Sequence, residues 1–262
     1  MRTLDNPLSN RYPTHWGDEP FSDDLIRRTI RRFRWFSLCN FGNGIVAKPD
    51  SWADEPLNSV TSGVGKAEFI VRKNLPDLQG KRILDIGCNS GVIAVHLARL
   101  GAAEVIGVDH DIPEPGLCSE GWNCWKEQAE FVKAALEWRC RTTYNVRYIE
   151  ANMRDLHTLD LGTFDIVLAL NCLYYLEESE MARLVQHVSH ISKQFLVQCN
   201  IRDHVRTLGK KATPSFIRDL LAGNGFGNVR VCEAWMFRLR GLWPYKYSRP
   251  VVIGESEMTA IS

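Results

Sequence analysis

The stretch Arg82-Ile-Leu-Asp-Ile-Gly-Cys-Asn-Ser-Gly-Val-Ile-Ala-Val-His-Leu-Ala-Arg-Leu100, closed by Gly101, constrains the chain more than any other. Ile83, Leu84 and Ile86 form the short apolar run of a strand buried on both faces. Gly87, Asn89, Ser90 and Gly91 then force a turn, after which Val92, Val95, Leu97 and Ala98 recur at helical spacing. Strand, glycine turn and helix in succession predict the opening unit of an α/β sheet. Glycines at 87 and 91 let the backbone pass close to a ligand and leave the N–H groups at the helix start open.

A second strand, Glu104-Val-Ile-Gly-Val108, ends in Asp109. An acid about 20 positions beyond such a turn is where a nucleoside-binding α/β fold places the carboxylate that accepts the ribose hydroxyls. The glycine pattern is Gly87-x-x-x-Gly91 and not G-x-G-x-x-G, which argues against a dinucleotide. Asp85, just before the turn, suits a ligand that carries an ammonium group better than one that carries phosphates. With these residues in place, Leu84-Asp85-Ile-Gly-Cys-Asn-Ser-Gly91 together with Asp109 resembles the S-adenosylmethionine site of class I methyltransferases.

The resemblance implies a Rossmann-like class I methyltransferase fold: a central, mostly parallel sheet, an antiparallel C-terminal strand pair and an N-terminal helical and hairpin cover. It divides the chain into an arm and cover over residues 1–60 and a methyltransferase-like domain over 61–262. It implies cofactor contacts from Asp85, Gly87, Cys88, Asn89 and Gly91 at the first turn, and from Asp109 and His110 at the second strand. Asn152, Met153 and Asn171 complete that set. The family commonly has Asp where this chain has Asn152; the side-chain carbonyl of Asn still accepts a hydrogen bond from the adenine amino group, without charge assistance. Met153 lies against the adenine ring face or fills core.

Length and composition set outer limits. At 262 residues, 45% of them hydrophobic, the chain suits one α/β domain with additions. Lys and Arg number 32 against 31 acids, a net charge of +1, so a small-molecule substrate is expected rather than nucleic acid. No apolar run of about 20 residues exists and the start is polar, which predicts a cytoplasmic protein without a membrane span. The eight cysteines form no C-x-x-C pair, and reduced, mostly buried thiols and no metal site are expected. Oligomeric state is not written in any motif.

Residues 1–20, with Pro7, Pro13, Pro20 and Gly17, read as a loose arm anchored by Trp16. Ser22 or Asp23 caps a helix expected over 23–36, whose Arg27, Arg28, Arg31, Arg32 and Arg34 either grip RNA phosphates or form a solvated face. Gly42-Asn43-Gly44 bends a hairpin. Trp35, Phe36, Phe41 and Trp52 either cover the cofactor or pack the extension onto the core. Gly63-Val-Gly65-Lys66 lacks the spacing of a phosphate loop, which excludes a nucleotide triphosphatase.

Phe164-Asp-Ile-Val-Leu-Ala-Leu170 is a central strand that delivers Asn171-Cys-Leu-Tyr-Tyr175 to the binding edge. Trp35-Phe36, Gly42-Asn-Gly-Ile-Val46, Leu75-Pro-Asp-Leu-Gln-Gly-Lys81 and Leu173-Tyr-Tyr-Leu176 are similar to the group that includes the bacterial tRNA wobble-uridine carboxymethyl transferase and its small-molecule relatives. That group tends to read Leu-Tyr-His-Leu, so Tyr175 removes an imidazole base. Methyl transfer needs an aligned nucleophile more than a triad, and Tyr174, Tyr175, Asn171 and Phe131 are the candidates around the reacting centre. Trp35 and Trp235 extend an aromatic cage for the sulfonium, while His110, Asp203, His204 and Glu233 are candidate bases. The same cage leaves open intramolecular cyclisation of the cofactor to azetidine-2-carboxylate, as in synthases that also look like methyltransferases, and tRNA wobble-uridine modification is a further alternative.

Overall fold

The computed structural model describes residues 19–49, 63–110, 124–199, 209–232 and 250–256. Their frame is a seven-stranded sheet in the order β5-β4-β3-β6-β7-β9-β8. Strands β3 (Arg82–Ile86), β4 (Glu104–Asp109), β5 (Val146–Glu150), β6 (Phe164–Leu170) and β7 (Ser192–Gln198) are parallel, while β9 (Val251–Glu255) runs antiparallel to both β7 and β8 (Asn228–Cys232). The mostly parallel sheet with a terminal antiparallel pair is the architecture expected from the sequence. From β3 the chain first builds outward through β4 to β5, then returns to the other side of β3 with β6. The strand order therefore reverses between β3 and β6, and the crevice at their carboxyl ends is where open α/β sheets bind ligands.

The apolar runs of β3 and β6 follow from helices on both sheet faces. Leu84, Ile86, Val167 and Ala169 pack with α5 (Glu178–Ile191) and α6 (Pro214–Ala222) through Met181, Val185, Val188, Ile217 and Leu221. Ile83, Ile166, Leu168 and Leu170 meet the opposite layer. That layer contains α2, in which Gly63–Gly65 continue as a π-helix over Lys66–Arg72, together with α3 (Val92–Arg99) and α4 (Cys124–Cys140). Alternate residues serve opposite cores, so a polar substitution inside either strand has no solvated side to face.

The sheet's lower edge is tied by one arginine. Arg82 pairs with Glu104 on β4, donates to the carbonyls of Leu161 and Thr163 before β6, and its guanidinium lies 4.4 Å from the Phe164 ring centroid. Its own N–H donates to Asp165 at 3.0 Å. Arg82→Ala should lower stability by about 1–2 kcal/mol, read by chemical denaturation, because two carbonyls and a carboxylate lose their donor. Ligand affinity at the far, carboxyl edge should hold within about twofold; a loss there would show that the two edges are coupled.

Helix α1 spans Asp23–Ile30, shorter than the expected 23–36, with Ser22 accepting from the Leu25 N–H at its start. It ends early because the indole of Trp35 folds back and donates to the Ile30 carbonyl at 2.8 Å. Of the arginine face, Arg27 pairs with Asp24 and Arg28 with Glu19. Strands β1 (Cys39–Gly42) and β2 (Ile45–Ala47) form the expected hairpin, with Asn43 and Gly44 both at positive φ as a two-residue primed turn requires. The six cysteines with described side chains are free thiols. No helix among the described residues is long and apolar enough to cross a membrane. Most of the 1–20 arm, Trp52, Asp203, His204, Glu233 and Trp235 lie outside the described residues.

Candidate active site

The two acids that the sequence singles out stand at the same end of neighbouring parallel strands. Asp85 is paired in register with Gly107 of β4, two residues before Asp109. Between them the chain turns through Gly87, Asn89 and Gly91, all with positive φ, and Asn89 is one of four non-glycine residues in that region among the described residues. Glycine at 91 is obligatory on two counts. Its φ is 68°, and an added Cβ would stand 2.2 Å from the hydroxyl of buried Tyr148. Gly91 caps α3 without a side-chain bond, so the first N–H groups of that helix have no protein side chain in the cap position.

Asp109 is held with both oxygens oriented. Oδ2 accepts the Asn89 N–H at 2.7 Å and Oδ1 the His110 N–H at 2.9 Å. Asp85 is 1% exposed, and its Oδ2 is buried with no hydrogen-bond partner. Burial and the nearby Asp109 charge push its carboxyl up to about 7, with the Lys66 ammonium acting in the opposite direction. Two further buried acceptors without partners, Asn89 Oδ1 and Asn171 Oδ1, belong to the turns that follow β3 and β6. Unpaired buried acceptors are disfavoured in folded proteins, and these three stand at one sheet edge, whereas Glu127 Oε2 and Ser192 Oγ are in α4 and at the start of β7.

The other predicted residues are distributed as follows. Cys88 is buried on the face shared with Tyr148 and Trp125. His110 and Asn152 meet across the tips of β4 and β5, Asn152 Nδ2 lying 3.4 Å from His110 Nε2. The Asn152 carbonyl oxygen caps the 3-10 turn Met153–Thr158 by accepting the Arg154 N–H at 3.0 Å, so it already has one donor before any adenine arrives. Met153 is partly buried against the core beside Ala151 and Leu159. Tyr174 is buried, whereas Tyr175 is 63% exposed, with the two ring centroids 5.0 Å apart on the turn after β6.

Two residues expected around the reacting centre lie elsewhere. Phe131 on α4 is fully buried among Phe21, Phe33 and Phe41, with ring centroids 5.8–6.4 Å away. Trp35 sits in the same cluster. For Trp35 this is the second of its two expected roles, packing the extension onto the core, while Phe131 departs from its expected place; both weld the extension to α3 and α4, burying ring surface that the short hairpin has no core of its own to cover. Phe131→Leu should cost about 1–1.5 kcal/mol in folding and leave ligand affinity within about twofold. A selective loss of affinity would return Phe131 to the pocket.

Four residues that sequence reasoning did not single out also stand beside these groups. Cys172 fills the crevice beside Gly87, where an added Cβ would lie 2.7 Å from its Cβ, and its thiol donates to the Ile86 carbonyl at 3.1 Å. Gln198, 2% exposed at the end of β7, accepts from Asn171 Nδ2 at 2.7 Å. Lys66 brings positive charge toward Asp85 from α2. Ser37 touches Ser90 of the glycine turn, hydroxyl to hydroxyl at 3.4 Å, joining the segment before β1 to that turn. The rejected Gly-Val-Gly-Lys segment was a usable signal for Lys66; nothing in the sequence marks Gln198.

Comparison with known proteins agrees with this fold. Residues 83–194 match the family model described as a methyltransferase domain. The N-terminal domain of EvdMO1 with SAH bound is 18% identical, with a TM-score of 0.60 over 90% of this chain and 98% of that one. Magnesium protoporphyrin IX methyltransferase (ChlM) from Synechocystis PCC 6803 with bound SAM is also 18% identical, with a TM-score of 0.50 over 79% of this chain and 88% of that one. The fold is thus the Rossmann-like methyltransferase fold. The ribosomal protein L11 methyltransferase of Stenotrophomonas maltophilia (strain K279a) is 62% identical over 34 residues, 13% of this chain and 11% of that protein. The chain spans about a tenth of the length of such curated relatives.

Proposed function

We propose that this chain is an S-adenosylmethionine-dependent methyltransferase that acts on an N or O acceptor of a small molecule. The observation that carries the reading is the convergence of Asp85, the Gly87–Gly91 turn and Asp109 at the carboxyl ends of adjacent parallel strands beside the switch point. The residues present fit the cofactor. Asp109, oriented by two backbone N–H groups at the tip of β4, suits a ribose diol, and the unpaired Asp85 Oδ2 suits the amino acid's ammonium group. When bound, S-adenosylmethionine supplies an activated methyl group on a sulfonium. His110, Asn152 and Met153 stand on the side of Asp109 away from Asp85, where the base would lie.

The chain's own contribution is binding, orientation and exclusion of water. Cys172 closes the crevice floor beside Gly87, and Tyr174 with Tyr175 forms the wall beyond β6. The Ser37–Ser90 contact supports residues 1–60 as an arm and cover over a methyltransferase-like domain at 61–262. The aromatic cage loses Phe131 and Trp35, which removes part of the motive for cyclisation.

The test is incubation of pure protein with S-adenosylmethionine, alone and with a panel of amines and phenols, followed by mass analysis. Intact S-adenosylmethionine in the first arm and a methylated acceptor with S-adenosylhomocysteine in the second are expected. Methylthioadenosine and a cyclic amino acid from the first arm would replace methyl transfer with cyclisation.

A further inference from the structure

We infer that Asn171 is the substrate-orienting residue of this site, and that the acceptor it selects carries an N–H or O–H at the atom to be methylated. The inference rests on the cofactor reading above and deepens it by assigning the residue that orients the acceptor.

Three strand tips stand in a row. Asp109 ends β4, Asp85 lies in β3, and Asn171 follows β6, the neighbour of β3 on its other side. A sulfonium nucleoside with its ribose on Asp109 and its ammonium at Asp85 has used the first two positions. The third falls to the reacting end. There Asn171 is prepared for a donor that the protein does not supply. Its Nδ2 donates to Gln198 Oε1 at 2.7 Å, and Gln198 is itself 2% exposed at the end of β7. That bond fixes the amide plane and leaves Oδ1, which is buried and has no partner. Its backbone is also held at φ 65°, a region that asparagine enters more readily than other side chains but that glycine prefers. A buried acceptor without a donor and a left-handed backbone coincide at Asn171, as they do at Asn89 of the glycine turn, and of the two only Asn171 follows β6, on the side of β3 away from Asp109.

The amide has a defined task. Its oxygen accepts the hydrogen of the incoming amine or hydroxyl and so points that group's lone pair at the methyl carbon. The acceptor's lone pair forms the new bond to carbon as the carbon–sulfur bond breaks, and its electron pair returns to sulfur as a neutral thioether. The proton shed by the acceptor passes to water. The amide neither gains nor loses a proton. Carbon nucleophiles without such a hydrogen would leave Oδ1 unpaired and are disfavoured.

Sinefungin tests this without knowledge of the natural acceptor, because it carries a C–NH2 group where S-adenosylmethionine carries S–CH3. By titration calorimetry at neutral pH, the wild-type protein should bind sinefungin about tenfold more tightly than S-adenosylhomocysteine, which lacks that amine. Asn171→Gly suits the left-handed backbone and is the variant least prone to misfold. It should reduce the preference to about threefold or less, so that sinefungin loses more affinity than S-adenosylhomocysteine does, with Asn171→Ser behaving alike. Asn171→Asp keeps an oxygen acceptor and should retain the preference. A preference that survives in the glycine and serine variants, is absent from the wild type, or disappears in the aspartate variant would overturn the role of Asn171. Failure of the wild type to bind S-adenosylhomocysteine at all would instead remove the cofactor reading.

Discussion

Replacing Asp109 with alanine should weaken S-adenosylhomocysteine binding by about 1–3 kcal/mol, roughly 5- to 150-fold. The carboxylate is the only side chain with both oxygens already oriented by backbone N–H groups, from Asn89 and His110, at the tip of β4 among the described residues. A ribose diol would add charge-assisted bonds to this carboxylate, and alanine removes them. The same change frees the two N–H groups, so part of the loss comes from the glycine turn relaxing. Comparison with adenine alone, which has no ribose, separates the contributions: its affinity should move much less. Equal losses for both ligands would mean that Asp109 shapes the loop without contacting the sugar.

The second large effect is on pH. Burial and the Asp109 charge push the Asp85 carboxyl up to about 7, against the attraction of Lys66. In the ligand-free protein the folded state therefore holds this proton more tightly than the unfolded chain. Its contribution to stability is fully present below the unfolded pKa and lost as pH rises through about 7. Ligand binding has the opposite sign, because an ammonium group favours the ionised carboxylate. Affinity for S-adenosylhomocysteine should fall about tenfold for each pH unit below about 7, while methylthioadenosine, which lacks the ammonium, should show little dependence. Asp85→Asn should flatten the first curve. Parallel curves for the two nucleosides would place the ammonium away from Asp85.

Much of the fold is legible because the signals are local. Leu84 and Ile86 alternate with Ile83 and Asp85 in a strand covered on both faces, and Gly87 and Gly91 stand where φ is positive. Asp109 is legible from its distance beyond the turn. What the sequence hides is set by partners far away in the chain. Phe131 reads as a pocket aromatic until Phe33 and Phe41 are seen around it. Helix α1 reads as six residues too long because the indole that ends it, Trp35, itself fits the helical pattern. Asn152 reads as an adenine acceptor, and the cap that the same oxygen makes to its own turn, with one of its two lone pairs, has no sign in the sequence. Gln198 acquires meaning only when β7 lies beside β6.

The most direct test is a crystal structure of the protein soaked with S-adenosylhomocysteine. The expected density has the ribose diol on the Asp109 carboxylate and the amino group near Asp85 Oδ2, with the nucleoside across the carboxyl ends of β3 and β4. Density for the nucleoside at any other edge of the sheet, or none at saturating concentration, would contradict it.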